Sequence, residues 1–217
     1  MNRAESTPAN GRLLVVGSAN RKKAVELNDL LVPLGLRLET LADYPTALAV
    51  DEVGQSFAEN ARLKAVEQAR HLGRWVLGDD SGLAVDALSG APGIFSARFA
   101  GPGATDEDNR KKLLAELARV PLERRTAHFV CYLVLADPSG AVRATSEGRC
   151  QGRIRLEPSG VGGFGYDPLF EIVEYHRTFG ELSPAVKSCL SHRARAIGRL
   201  VPQIQALIDA GEWSDRG

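Results

Sequence analysis

Three things are scarce in this 217-residue chain, and each scarcity excludes something. The first is charge of one sign: 27 lysines and arginines are matched by 27 aspartates and glutamates, so the formal net charge is zero. Broad binding to nucleic acid or to an anionic membrane needs a basic excess, so neither is expected as a partner. Any polyanion must be held by a local cluster of cations. The second is cysteine, present only as Cys131, Cys150 and Cys189. Three is an odd number and the spacing fits no metal-ligand pattern, so reduced thiols in a cytoplasmic protein are expected. The third is long apolar runs. None approaches the ~20 residues of a membrane span, and the start has no signal-peptide core.

What is present is ordinary for a globular protein, with 44% hydrophobic and 25% charged residues. The expectation is a single two-lobed domain over residues 11–210, with 1–10 and 211–217 as flexible tails. There are no repeats, low-complexity tracts or linkers.

The chain is organised around Trp75-Val76-Leu77-Gly78-Asp79-Asp80-Ser81-Gly82-Leu83-Ala84-Val85-Asp86. Trp75 to Leu77 reads as a buried strand that ends in two adjacent carboxylates, and extended chain resumes at Leu83. Successive side chains of extended chain point to opposite faces, so Asp79 and Asp80 are expected to separate. One faces a ligand and the other props the backbone. A carboxylate at a strand end, next to glycine, suits Mg²⁺ bound together with a phosphate-bearing substrate. The bland alternative is a polar turn closing a core strand.

Leu13 to Gly17 is a short apolar run and predicts a central strand. Ser18-Ala19-Asn20 follows, then a helix with Ala24, Leu27, Leu30 and Leu31 on one face. Strand, tight turn and helix N-terminus make an anion site, and Lys23 lies in the first helical turn. The same residues also suit a plain helix capped by Ser18 or Asn20. Leu36 to Leu41 predicts a second strand. Ser56 and Glu59 form a capping box for a helix that runs to about Leu72 and stops at Gly73. Asn60 and Lys64 share one face of it, which alone would be read as a solvated face.

Thr105 and Asp108 start another helix, with Leu113, Leu114 and Leu117 buried. Ala127 to Leu135 predicts a long strand. Ala141 to Arg155 predicts one or two more, broken near Gly148 and Gly152. Alternating strand and helix in the first half and hairpins in the second give an α/β fold with a mixed sheet. Between Ser159 and Pro168 four glycines fall within six residues. Gly160, Gly162 and Gly165 match G-x-G-x-x-G, but Asp167-Pro168 leads into apolar Leu169-Phe170 rather than a helix, so no dinucleotide fold follows. Phe164 and Tyr166 suit stacking on a base and Asp167 suits accepting from a base or ribose, unless the aromatics serve the core. Ser183-Pro184 starts a helix containing Lys187. Ser191-His192-Arg193 opens or continues the last one, whose apolar residues from Ile197 to Ile208 recur at helical spacing. His192 alone fits a partly buried structural histidine, and Arg193 beside it favours recognition by its rigid fork of donors.

Seven motifs occur in order. They are Ser18-Ala19-Asn20-Arg21-Lys22-Lys23, Phe57-Ala58-Glu59-Asn60-Ala61, Asp79-Asp80-Ser81-Gly82-Leu83 and Ala91-Pro92-Gly93, then Ser96-Ala97-Arg98, Gly162-Gly163-Phe164-Gly165-Tyr166-Asp167-Pro168 and Ser191-His192-Arg193. Together they resemble the inosine triphosphate pyrophosphatase family, from about Leu13 to about Ile208. The resemblance implies a two-lobed α/β fold, with a long mixed β-sheet flanked by helices and a cleft between lobes, in a homodimer. It implies Mg²⁺-dependent hydrolysis of ITP, dITP and XTP to the monophosphate and pyrophosphate. Ser18, Ala19, Asn20, Arg21, Lys22 and Lys23 match the family's phosphate-binding turn. Asp80 matches the magnesium carboxylate that also accepts a proton, Ser81 its substrate-binding neighbour, and Glu52 the second metal carboxylate. Phe164, Gly165, Tyr166, Asp167, Lys187, His192 and Arg193 match the nucleoside-binding positions, and Lys64 a further phosphate contact. Ala194 departs from the family's usual glycine after His-Arg, and the polar start before Leu13 is longer than typical.

A triphosphate carries about four negative charges, which Lys23, Lys64, Lys187 and Mg²⁺ would largely offset. Two other functions use similar parts. A non-catalytic nucleotide sensor needs the phosphate turn but not metal carboxylates at Asp80 and Glu52. A phosphatase with an aspartyl nucleophile releases orthophosphate through a phospho-enzyme. A purely structural protein is disfavoured by glycines placed beside polar clusters.

Overall fold

The computed structural model describes residues 12–18, 20–31 and 34–213, without the side chains of Arg21 and Asp29. The expected tail at 1–10 and the turn residue Ala19 lie outside the described residues, as do 214–217.

In chain order the elements are β1 (Arg12–Val16), α1 (Arg21–Leu31), β2 (Leu36–Thr40), α2 (Phe57–Leu72) and β3 (Val76–Val85). Then come α3 (Asp106–Glu116), β4 (Thr126–Ala136), β5 (Val142–Ile154), β6 (Phe170–Ile172), β7 (Arg177–Thr178), α4 (Pro184–Leu190) and α5 (His192–Asp209). The seven strands form one open sheet in the order β2-β1-β3-β4-β5-β6-β7. β1 is parallel to both β2 and β3, and every other pairing is antiparallel. The mixed α/β architecture expected from the sequence is therefore the one found.

Local chemistry sets the helix ends. Ser56 Oγ accepts from the Glu59 amide at 3.2 Å, and Gly73 closes α2 in the left-handed region at φ 61°. The Glu59 carboxylate reaches back to the Gln55 amide (2.6 Å), one residue beyond the cap. Ser183 caps α4, and Ser191 ends α4 while its hydroxyl caps α5.

Residue alternation along β3 sorts the core. On one face Leu77 joins Leu14, Val16 and Leu133, and these pack on Leu27 and Leu31 of α1 and Ile197 and Leu200 of α5. Further along the strand, on the same side by alternation, Leu83 and Val85 join Phe129, Phe170, Leu113 of α3 and Leu117 just after its end. Between these two cores the strand carries Asp79 and Ser81. Those polar residues divide one apolar face into two lobes. On the opposite face α2 lies close, with Ala61, Ala65 and Ala69 on Val15, Val76 and Val134. Gly78 permits that approach, because a Cβ there would collide with the Ala61 carbonyl.

Two local expectations are corrected. β5 is one strand from Val142 to Ile154, without a break at Gly148 or Gly152. A Cβ at Gly148 would collide with the His192 carbonyl and the Ala196 backbone, and one at Gly152 with the Glu171 carbonyl. These glycines admit α5 and β6 against the strand rather than interrupt it. Gly148→Ala should therefore cost about 1–3 kcal/mol by overpacking, read as a lower denaturation midpoint, and an unchanged midpoint would contradict this contact. The second correction concerns the C-terminus. Within the expected tail, Trp213 is buried and its ring stacks on Trp75 with centroids 4.3 Å apart. The chain there completes the core.

Candidate active site

β1 ends at Val16 and meets β3 only through Val15↔Val76 and Val16↔Leu77. From Gly78 onward β3 has no parallel neighbour on that side. α1 packs with one face of the sheet and α2 with the other. A crevice beyond the carboxyl end of a parallel strand, where connections leave to both faces, is where open α/β sheets bind ligands. A cleft of about 420 Å³ opens there.

Asp79 and Asp80 lie in the middle of an unbroken ten-residue strand, not at a strand end. The pairing with β4 continues through Ser81 and Gly82, so the polar turn is excluded. Alternation still separates the two carboxylates, and each founds its own ion network.

Asp79 is completely buried on the α1 and α5 side. It accepts from Lys23 Nζ (2.7 Å), Arg193 Nε (2.9 Å) and the Ser81 hydroxyl. Burial alone would raise its pKa, but the charges of Lys23 and Arg193 and these hydrogen bonds hold it well below the usual carboxylate range. Arg193 also donates to Glu26 and, at 3.2 Å, to Ser81 Oγ. Glu26 in turn accepts from Lys187 Nζ at 2.8 Å, and Lys187 donates to Asp167 at 2.6 Å. This network holds three carboxylates (Asp79, Glu26, Asp167) and three cations (Lys23, Arg193, Lys187).

Asp80 faces α2 and the cleft. Lys64 Nζ donates to it at 2.7 Å and to Glu52 at 3.2 Å, and Arg98 stands 3.8 Å from Glu52. Burial raises the Asp80 pKa against the pull of Lys64. Burial would lower Lys64, yet the surrounding carboxylates, Asp80 first, outweigh it and raise its pKa. This network holds two carboxylates and two cations. The solvated face expected for Asn60 and Lys64 is overturned, since Asn60 is fully buried and the Lys64 side chain nearly so. Asn60 Oδ1 accepts from the Gly54 amide (2.8 Å), and Gln68 bonds both the N–H and the carbonyl of Leu48. One row of α2 side chains thus pins the irregular segment that presents Glu52.

The phosphate turn is a capped helix facing the cleft. Asn20 Oδ1 accepts from the amides of Lys22 (3.0 Å) and Lys23 (3.3 Å), and Ser18 Oγ from the Asn20 amide. Lys22 stands exposed at the rim, 3.9 Å from Asp106 and 5.6 Å from the Phe164 ring centroid. In the glycine loop, Phe164 is half-buried with Lys187 Nζ 4.7 Å from its ring centroid, and its amide donates to Asp167. Gly165 is fixed through its amide to Asp106 and its carbonyl to Arg110. Tyr166 is a core aromatic whose hydroxyl donates to the Ser96 carbonyl (2.8 Å), which leaves Phe164 as the accessible ring. His192 stacks on Phe129 with centroids 4.8 Å apart. Burial, reinforced by the charge of Arg193, holds its pKa well below the usual range, so it is neutral. Its Nδ1 is buried with no partner among the described residues.

Glu26 was invisible in the sequence. It lies three residues after Lys23 on the same helix, but its work is to join Arg193 to Lys187, both more than 160 positions away.

Asp80 and Glu52 converge on one ammonium, so two hard oxygen donors already surround a cationic centre. That donor set fits Mg²⁺, which binds through one or two carboxylates and fills its remaining positions with phosphate oxygens and water. Among the described residues no group of three or more His, Cys, Asp or Glu would hold an ion without such help.

A family model described as the Ham1 family matches residues 14–203. A protein named dITP/XTP pyrophosphatase from Rhodopirellula baltica is 53% identical over 201 residues, covering 93% of this chain and 97% of that protein. One of the same name from Exiguobacterium sp. is 49% identical over 191 residues, covering 88% and 96%. The solved structure of a HAM1 protein from Coxiella burnetii aligns with TM-score 0.81 at 36% identity, over 89% of this chain and 98% of that one. The dITP/XTP pyrophosphatase structure from Mycobacterium abscessus aligns with TM-score 0.72 at 43% identity, covering 88% and 99%.

Proposed function

This chain belongs to the Ham1 family, and we infer that it hydrolyses the non-standard purine nucleoside triphosphates ITP, dITP and XTP to the monophosphate and pyrophosphate. The observation that carries this reading is the pair of ion networks on opposite faces of β3, both opening on one cleft. The Asp79 side holds Lys187 and Arg193 near the Phe164 ring, which suits a nucleoside, and Lys23 in the first turn of α1, which suits the phosphates that follow. The Asp80 side holds Lys64, Glu52 and Arg98, which suits the rest of the polyphosphate.

Both networks are balanced, carboxylate for cation. A triphosphate brings about four negative charges against two networks that, among the described residues, hold as many carboxylates as cations. Mg²⁺ held by Asp80 and Glu52 would supply positive charge, by offsetting charge on the phosphate oxygens. Asp80 orients water for attack on the α-phosphorus and takes its proton. The bond from that phosphorus to the oxygen bridging the β-phosphate breaks, and pyrophosphate leaves. Lys23 and Lys64 stabilise the charge that collects on the phosphates. A homodimer acting in the cytoplasm belongs to the same proposal.

The test is a panel of nucleoside triphosphates with separate detection of pyrophosphate and orthophosphate, with and without Mg²⁺. Pyrophosphate from ITP, dITP and XTP, but not from ATP, is expected. Orthophosphate as first product would point to an aspartyl phosphatase, and binding without turnover to a sensor.

Lys23→Ala should weaken binding of ITP about tenfold or more, and binding of the monophosphate product much less, since a bond to a charged phosphate is at stake. Calorimetry on both ligands checks it. Equal weakening would place Lys23 beside the nucleoside rather than the β- and γ-phosphates.

A further inference from the structure

Arg98 ends the short 3₁₀ segment Gly93–Arg98, on the cleft wall built by the second lobe. The cleft cations of the two networks differ in how they are engaged. Lys23, Lys64, Lys187 and Arg193 each donate to a carboxylate at 2.9 Å or closer, and their side chains are at most 15% exposed. The Arg98 side chain is 39% exposed. Among the described residues its guanidinium makes no hydrogen bond. Its contacts are Glu52, 3.8 Å away, and the face of Phe95, 5.4 Å from the ring centroid. A fork of five donors thus stands in the cleft unused.

The backbone beneath it is anything but idle. Ser96 Oγ accepts from the Leu83 amide (2.9 Å) and donates to the Gly93 carbonyl (2.6 Å). Asn109 of α3 donates to the Ala97 carbonyl (3.1 Å) and accepts from the Ala100 amide (2.8 Å). Tyr166 donates to the Ser96 carbonyl. Three buried side chains therefore fix the residues on either side of Arg98, and the turn is anchored to β3 beside Ser81 and Asp80. A side chain with free donors on a rigid base, next to the carboxylate that shares Lys64, is preorganised for an anion.

We propose that Arg98 is a binding residue for the departing half of the substrate: its guanidinium takes oxygens of the pyrophosphate group and holds them as the bond to the α-phosphorus breaks. Glu52 is its weak partner when the cleft is empty. The inference rests on the hydrolysis proposed above and adds a residue to it.

The experiment uses inorganic pyrophosphate and inosine monophosphate as separate probes. Calorimetric affinities for each, in buffer with Mg²⁺, are compared in the parent, Arg98→Gln and Arg98→Lys, with kcat/KM for ITP alongside. Arg98→Gln should weaken pyrophosphate about tenfold or more and leave inosine monophosphate within about twofold. Arg98→Lys should recover part of the loss, because charge returns without the fork. kcat/KM for ITP should fall in step with pyrophosphate affinity. Pyrophosphate affinity unchanged in both variants would overturn the proposal. So would equal loss of both probes, or a loss confined to the Mg²⁺ concentration needed for half-maximal turnover, which would make Arg98 only a prop for Glu52. The affinities require no turnover. A parent that binds pyrophosphate through Arg98 yet leaves ITP intact would sink the assigned reaction and keep this site.

Discussion

Asp80→Asn should fold normally and turn over ITP at least about a hundredfold more slowly, the usual scale for removing one acid-base group. Asp80 is the cleft carboxylate that lies closest to Lys64 while also reaching the open edge of β3. Asparagine keeps its shape and can neither take a proton nor offer a full charge to a metal. Stability should survive for a reason of sign. Burial raises the folded-state pKa of Asp80 above the unfolded value. A carboxyl raised on folding contributes most when protonated, and that contribution fades as pH rises through the folded pKa. At neutral pH its charge is therefore a cost that asparagine removes, and Lys64 retains Glu52. In the metal-free protein the same shift places the titration of Asp80 above the ordinary value of 3.8. A melting curve, a pH titration of the metal-free protein and a turnover assay check all three. Near-normal turnover at saturating Mg²⁺ would remove Asp80 from the centre of the mechanism.

Much of this was legible in the sequence because local rules decided it. The apolar run from Leu14 to Val16, the Ser56 cap and Gly73 stop, and the alternation of Asp79 with Asp80 each needed only neighbouring residues. Where tertiary contact decides, local rules fail. Gly148 and Gly152 look like breaks until α5 and β6 are seen lying on them. Asn60 and Lys64 look solvated because nothing nearby in sequence announces that residues 46–55 fold over α2. Asp79 and Asp80 look like a turn because a central strand seldom carries two carboxylates. This one does so where its parallel neighbour stops. Trp213 looks like tail because its partner, Trp75, is more than 130 residues away. The family resemblance supplied the candidate site residues, but not the network that joins them through Glu26.

Arg193→Ala should cost about 3–5 kcal/mol, the expected loss when one member of a buried ion pair is removed and its partner's charge remains. Arg193 and Asp79 are both essentially inaccessible to water, and Glu26 and Ser81 share the same guanidinium. The penalty should depend on pH with a definite sign. Asp79 has a folded pKa well below 3.8, so the stability it contributes is complete above the unfolded value and is lost as pH falls toward the folded one. The gap between parent and variant should be full at pH 7 and narrow below about pH 3.8. Selectivity therefore needs a gentler substitution, Arg193→Lys, which keeps a charge beside Asp79. Five guanidinium N–H groups serve Asp79, Glu26 and Ser81 through three bonds, which leaves two for a ligand. A 6-oxo purine accepts from such donors, whereas adenine's 6-amino group would face them as another donor. That mismatch costs about 1–3 kcal/mol per unpaired group. His192, being neutral, offers one donor and one acceptor, so the firm discrimination belongs to Arg193. Measured as kcat/KM, Arg193→Lys should lower ITP and XTP by about tenfold or more and ATP by much less, narrowing the preference for ITP. If all three fell by the same factor, Arg193 would be only the keystone of the ion network, and recognition of the base would have to come from another residue.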